Sequence, residues 1–91
     1  MVRYEDEIVK KIAKRQIPQD IFIHINNAFM ALDLTKDMNL FDIKQLKMST
    51  GTERIYYRLR KSKCRAIFYL EGNDIWVVAL DKREVVYKKW Q

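Results

Sequence analysis

The sequence predicts an α+β fold, in which an N-terminal helical hairpin packs on one face of a small, mainly antiparallel β-sheet. Apolar residues recur at helical spacing through roughly the first third of the chain. From residue 55 the pattern changes to a period of two, with many β-branched and aromatic residues. The dipeptide Gly72-Asn73 separates the last two apolar runs and is typical of a hairpin turn. Together these patterns favour helices followed by paired strands.

Two helices are predicted after a short first strand at residues 1–4. The first helix starts at Glu5, with acidic residues in its first turn and basic residues in its last, as the helix dipole favours. Pro18 suits the first turn of the second helix. The short gap between the helices predicts an antiparallel pair. The apolar stripes are Ile8, Val9, Ile12 and Ala13 in the first helix, and Ile21, Ile25, Ala28, Phe29 and Leu32 in the second.

The second half of the chain predicts strands at 55–60, 64–70 and 74–80, with a brief strand near 43–46. If Ser62-Lys63 forms a tight turn, Arg60 lies opposite Arg65, Arg58 opposite Ile67, and Tyr56 opposite Tyr69. This register is favoured because it collects the apolar residues on one face. That face contains Ile55, Tyr57, Leu59, Ala66, Phe68 and Leu70, and continues through Ile75, Val77 and Ala79.

The opposite face of the predicted sheet carries Arg58, Arg60 and Arg65 together. Because like charges directly across strands are destabilising, an anionic ligand is the natural reason for this arrangement. The rest of that face is apolar and requires a cover, either the C-terminal tail, with a helical turn at Val86 and Trp90, or a partner. Its members are Tyr56, Ile67, Tyr69, Trp76, Val78 and Leu80.

Length and net charge limit the classes of function that this chain can have. The 91 residues predict one domain spanning 1–91, with a net charge of +6. Residues 1–53 contain 8 Lys/Arg and 8 Asp/Glu, whereas residues 54–91 contain 10 and 4, so the whole excess lies in the second segment. This asymmetry favours a nucleic-acid partner. The chain has no long apolar run or signal-peptide core and a single cysteine, which predicts a cytoplasmic protein without a membrane partner.

Three segments, together with the helix pair, resemble the RelE/ParE superfamily, the toxins of bacterial type II toxin–antitoxin pairs. These segments read LFDIKQLKM, YYRLRKSKCRAIFYL and IWVVALDKREVVYKKW. The resemblance covers nearly the whole chain and is closer to the RelE branch, whose members cleave mRNA in the ribosomal A site. It implies a ribosome-dependent mRNA endonuclease. Two alternatives stay open: a ParE-like inhibitor of DNA gyrase without nuclease activity, and a catalytically inactive member.

The resemblance also implies site residues and partners. It implies no metal and no organic cofactor. The implied partners are a cognate antitoxin, the ribosome and mRNA, with operator DNA contacted only through the antitoxin complex. The implied catalytic residues are Arg58, Arg65, Arg83, Tyr87 and Lys47. The predicted RNA-binding residues are Arg60, which the resemblance also matches, and the lysines Lys44, Lys61, Lys63 and Lys82.

Overall fold

The computed structural model describes residues 1–46 and 54–82. Within these residues the chain forms two α-helices, a short 3-10 helix and five strands. The predicted first strand, both helices and all later strands are confirmed, with ends that differ by one or two residues. The elements are β1 (Val2–Tyr4), α1 (Asp6–Ala13), α2 (Gln19–Thr35), the 3-10 helix Met38–Leu40, β2 (Asp42–Gln45), β3 (Tyr56–Lys61), β4 (Cys64–Glu71) and β5 (Asp74–Lys82).

The described strands form one sheet in the order β1-β5-β4-β3-β2. The pair β1–β5 is parallel, and the other three neighbouring pairs are antiparallel. Gly72 has φ +60° in the turn between β4 and β5, a conformation that glycine adopts without strain. The predicted hairpin at Gly72-Asn73 and the mainly antiparallel character of the sheet are therefore confirmed.

The register of β3 against β4 is the predicted one. Tyr56 lies opposite Tyr69, Arg58 opposite Ile67, and Arg60 opposite Arg65. Because neighbouring side chains point to opposite sides of a sheet, this register separates the arginines from the apolar residues between them. We call the side with Leu59, Ala66 and Phe68 the core face, and the side with Arg58, Arg60 and Arg65 the arginine face.

A register shift between β4 and β5 changes one part of the prediction. Ile67 pairs with Ala79 and Phe68 pairs with Val77, so the ladder skips Val78. Beyond this β-bulge the alternation of β5 is reversed, because an extra residue moves every later side chain to the other face. Leu80 is consequently buried in the core, where the sequence predicted Ala79. The prediction of Leu80 on the arginine face is wrong for the same reason.

The core is formed by residues from both helices and from the core face of the sheet. The rings of Phe29 on α2 and Phe68 on β4 meet edge to face, with centroids 5.2 Å apart. Such a contact adds to the stabilisation from burying both rings. Both helices and three of the described strands supply buried core residues, and Val2 of β1 and Ile43 of β2 pack against them. The buried residues include Ile8, Ile21, Ile25, Phe29, Leu32, Leu59, Ala66, Phe68, Ile75, Val77 and Leu80.

Four predicted core positions are exposed instead. Ile55 precedes the first residue of β3, and Leu70 is the next-to-last residue of β4, so both lie at the end of the sheet. On α1, Val9 and Ala13 are also exposed, while Ile8 alone is fully buried. Helical periodicity identified the side of α1 that faces the core but overestimated the width of the buried stripe.

Neither helix in the described residues has the length and apolarity that a bilayer crossing requires.

Ile25 tests the importance of this core. Its side chain is fully buried, so Ile25→Ala should lower the free energy of unfolding by about 2–5 kcal/mol through lost burial and a residual cavity. Leu34 lies on the same helix and is 86% exposed, so Leu34→Ala should change it by at most about 0.5 kcal/mol. Urea unfolding followed by circular dichroism measures both values. Equal losses in the two variants would contradict the packing described.

Candidate functional site

The arginine face contains a row of four charged residues across four strands. Asp42 on β2 lies opposite Arg60 on β3, Arg60 lies opposite Arg65 on β4, and Arg65 lies opposite Asp81 on β5. The two central cations are therefore flanked by an acid on each side. This arrangement reduces the like-charge repulsion that the sequence pattern implied, because each arginine has an acidic neighbour as well as a basic one.

Asp42 joins two of the arginines. The Nη2 atom of Arg58 donates to one carboxylate oxygen at 2.9 Å, and the Nε atom of Arg60 donates to the other at 2.7 Å. The hydrogen bond from Arg60 is the main reason that the pKa of Asp42 lies below its ordinary value. The carboxylate therefore stays ionised at neutral pH, where it holds both guanidinium groups side by side.

Asp42 was missed by the sequence analysis, although a signal was present. The brief strand predicted near 43–46 adjoins this residue, and pairing that strand with β3 places alternate residues on the arginine face. Lys44 reaches the same face by this alternation, because it lies directly opposite Arg58. The sequence pattern did not show which strand pairs with this brief strand.

The three arginines differ in their exposure. Arg65 is 5% exposed, whereas the side chains of Arg58 and Arg60 are 16% and 36% exposed. The Nε atom of Arg58 is buried and has no hydrogen-bond partner among the described residues. A buried donor on a cationic group costs free energy when it lacks an acceptor, so this atom favours an incoming anion.

The lysines implied as RNA-binding residues are not all on the arginine face. Lys61 lies opposite Cys64, which is buried in the core, so the alternation of β3 assigns Lys61 to the core side of the sheet, at its end. Lys63 is exposed in the turn between β3 and β4. Lys82 ends β5, where its backbone also pairs with Cys64. The structure thus groups Lys44 with the arginines and leaves these three lysines at the hairpin end of the sheet.

Three of the implied catalytic residues, Lys47, Arg83 and Tyr87, lie outside the described residues, as does the helical turn predicted at Val86 and Trp90. The described part of the candidate site therefore consists of Arg58, Arg60, Arg65, Lys44 and Asp42. These side chains come from three adjacent strands, which fix their spacing more firmly than loops would. They form a cationic cluster suited to phosphate, because the planar guanidinium binds phosphate oxygens in pairs.

Two solved structures have a similar fold. A chain of the RelB-RelE antitoxin-toxin complex from Methanococcus jannaschii matches with a TM-score of 0.65 and 21% identity, covering 98% of this chain and 99% of that chain. A chain of the archaeal RelE-RelB complex from Pyrococcus horikoshii OT3 matches with a TM-score of 0.63 and 22% identity, covering 90% and 92%. No family sequence model and no curated protein sequence matches this chain. The predicted resemblance is thus confirmed at the level of the fold.

Removing the charge of Asp42 should free the cationic cluster from the anion that competes with a ligand. We expect Asp42→Asn to strengthen binding of a short single-stranded oligonucleotide about three- to tenfold at low ionic strength, because a competing anion is lost. Fluorescence anisotropy with a labelled oligonucleotide measures the affinity.

The exposed Asp6 on α1 supplies a control of equal charge, since Asp6→Asn changes net charge without touching the cluster. Equal effects of the two substitutions would indicate a general charge effect. Weaker binding by Asp42→Asn would contradict the prediction and would mean that the lost positioning of the arginines outweighs the removal of a competing anion.

Proposed function

We propose that this protein is the toxin of a type II toxin–antitoxin pair and that it cleaves mRNA on the ribosome, as RelE-like toxins do. The observation that carries this proposal is the grouping of Arg58, Arg60 and Arg65 on one sheet face. The fold that presents them is similar to chains of two RelB-RelE complexes. We infer that α1 and α2 lie as a hairpin on the core face, so that the arginine face is the side that meets RNA.

RNA cleavage by attack of the 2′-hydroxyl on the adjacent phosphate has three requirements. The attacking and leaving oxygens must be in line, the charge of the phosphorane must be stabilised, and protons must move at both oxygens. Guanidinium groups meet the second requirement. In this proposal Arg58 and Arg65 hold the reacting phosphate, and Arg60 holds the RNA backbone beside it.

Proton transfer requires other residues. Arginine is a poor general base because its pKa lies above about 12. The resemblance assigns this chemistry to Tyr87 and Lys47, with Arg83 as a further phosphate ligand. Several nearby cations lower the pKa of a tyrosine or lysine, which brings either group closer to a useful range. The proposed mechanism uses no metal and no organic cofactor.

Asp42 has a defined role in this mechanism. In the free protein its carboxylate accepts hydrogen bonds from Arg58 and Arg60, as a phosphate would. Binding of RNA replaces one anion with another, so the arginines are already oriented when the substrate arrives. Preorganised donors stabilise a transition state more effectively than donors that must first reorient.

A cognate antitoxin is the second proposed partner. The solved complexes with a similar fold each pair a RelE with a RelB. With a net charge of +6, this chain favours an acidic protein partner. We propose that the antitoxin covers the arginine face and thereby blocks RNA binding, and that contact with operator DNA is made through the complex. A toxin acting on ribosomes works in the cytoplasm.

A cell-free translation assay tests the enzymatic part of the proposal. Wild-type protein should generate new mRNA 5′ ends, mapped by primer extension, only when ribosomes are present. Arg58→Gln and Arg65→Ala should reduce this cleavage roughly 100-fold, the usual effect of removing one charge-stabilising donor. Arg15→Gln removes an exposed arginine in the turn that follows α1 and should leave cleavage unchanged.

Circular dichroism shows whether each variant folds, which matters most for the buried Arg65. Intact mRNA and normal translation with wild-type protein would overturn the nuclease proposal. A DNA supercoiling assay would then separate gyrase inhibition from an inactive toxin.

Tyr87 tests the assignment of proton transfer. Tyr87→Phe removes only a hydroxyl group, so we expect single-turnover cleavage to fall about 100-fold or more while RNA affinity changes little. Cleavage on programmed ribosomes and oligonucleotide binding are measured on the same preparation. Equal loss of both activities would assign Tyr87 to binding instead of catalysis.

A further inference from the structure

The arginine face continues along the strands into a row of aromatic residues. Trp76 on β5 lies opposite Tyr69 on β4, which lies opposite Tyr56 on β3. The Tyr69 and Trp76 rings are stacked, with centroids 6.2 Å apart and an interplanar angle of 9°. The Tyr56 ring meets Tyr69 edge to face at 5.8 Å. The phosphate contacts proposed above do not use this aromatic row.

A cation lies against the Tyr69 ring of this stack. The guanidinium carbon of Arg54 lies 3.9 Å from the centroid of the Tyr69 ring. Arg54 also shares a hydrogen bond with Tyr56, and this bond is the main reason that the pKa of its guanidinium is raised. Arg54 is exposed and precedes the first residue of β3, so its side chain can shift without breaking a strand ladder.

An open surface groove of about 720 Å³ adjoins these groups and is lined in part by Arg54, Tyr56, Tyr69 and Glu71. Its volume lies in the range of sites that hold small molecules the size of a nucleotide. Besides the aliphatic side chains of Ile55 and Leu70, the lining provides an aromatic surface, a planar cation and a carboxylate, which together suit a flat, polar, heteroaromatic group. An aliphatic or lipid ligand would leave the charged groups without partners.

We propose that Arg54 and the aromatic row form a base-stacking subsite for single-stranded RNA, in which one nucleobase lies between the Arg54 guanidinium and the Tyr69 ring. This inference rests on the proposed function and deepens it, since it assigns a position to a base next to the reacting phosphate. Bases of single-stranded RNA stack on aromatic rings and on arginine planes alike. Insertion therefore replaces one stacking contact with two.

The spacing along β3 supports this assignment. Tyr56 is two residues from Arg58 and four from Arg60, which corresponds to about 7 Å and about 13 Å along a strand. These lengths are comparable to one and two nucleotides of an extended single strand. A chain whose phosphate lies at Arg58 thus brings a neighbouring base to the aromatic row, on the same rigid sheet.

The test compares an all-2′-O-methyl tetraribonucleotide, which lacks the attacking hydroxyl, with the same oligomer carrying one abasic position. Wild-type protein should bind the complete oligomer on the order of tenfold more tightly than its abasic counterpart. A 2-aminopurine at the same position should lose fluorescence on binding, as expected when it stacks. The abasic oligomer keeps every phosphate, so the comparison isolates the base.

Arg54→Lys keeps the charge and removes the planar group, so it should abolish most of the preference for the complete oligomer. Arg15→Lys is the same change at a remote exposed position and should preserve it. Tyr69→Leu should also remove the preference, although Tyr69 is buried and this variant requires a folding check by circular dichroism. Arg54→Lys decides the question even if Tyr69→Leu does not fold.

Equal affinity for the two oligomers, or a preference that survives Arg54→Lys, would overturn the subsite and leave the proposed nuclease intact. If neither oligomer binds at millimolar concentration, the subsite proposal is also overturned. The translation assay would then test the nuclease proposal separately. A base preference found together with intact mRNA in that assay would establish the subsite and reject the nuclease.

Discussion

The pairing of Arg60 with Arg65 across β3 and β4 is the constraint on which the site depends. The apolar residues on the other side of the same two strands enforce it, because Ala66 and Phe68 are fully buried. A slip by one residue would turn the arginines into the core and the apolar residues outward, at a cost far above the stability of a small domain. The hydrophobic core therefore fixes the geometry of a charged surface that it does not contact.

The acids of the same row make this concentration of positive charge tolerable. Asp42 and Asp81 occupy the two outer positions of the row, so the arginines are not surrounded by cations alone. Asp42 also keeps two guanidinium groups oriented through its hydrogen bonds. One side chain thus both reduces charge repulsion in the free protein and orients the arginines for the proposed reaction. The net charge of this face stays positive because Arg58 and Lys44 also belong to it.

One sheet face presents two chemistries in order along its strands. The arginines provide charge for phosphate at one end, and the rings of Tyr56, Tyr69 and Trp76 provide planar surface for a base further along. Both groups are carried by strands in a single register, so their separation is set by the rise of a β-strand and not by a flexible loop. A single-stranded nucleic acid has the same alternation of phosphate and base, which is why we propose it as the ligand of this face.

The sequence by itself determined the elements, the turn at Ser62-Lys63 and the face shared by the arginines, because alternation and helical periodicity are local properties of the chain. It did not show the bulge that moves Leu80 into the core, since a bulge is an extra residue in one strand that appears only when the pairing of the two strands is known. Only the tertiary structure brought Asp42 to the arginines and Arg54 onto Tyr69. Those contacts depend on which distant strands become neighbours, and a one-dimensional pattern does not record that choice.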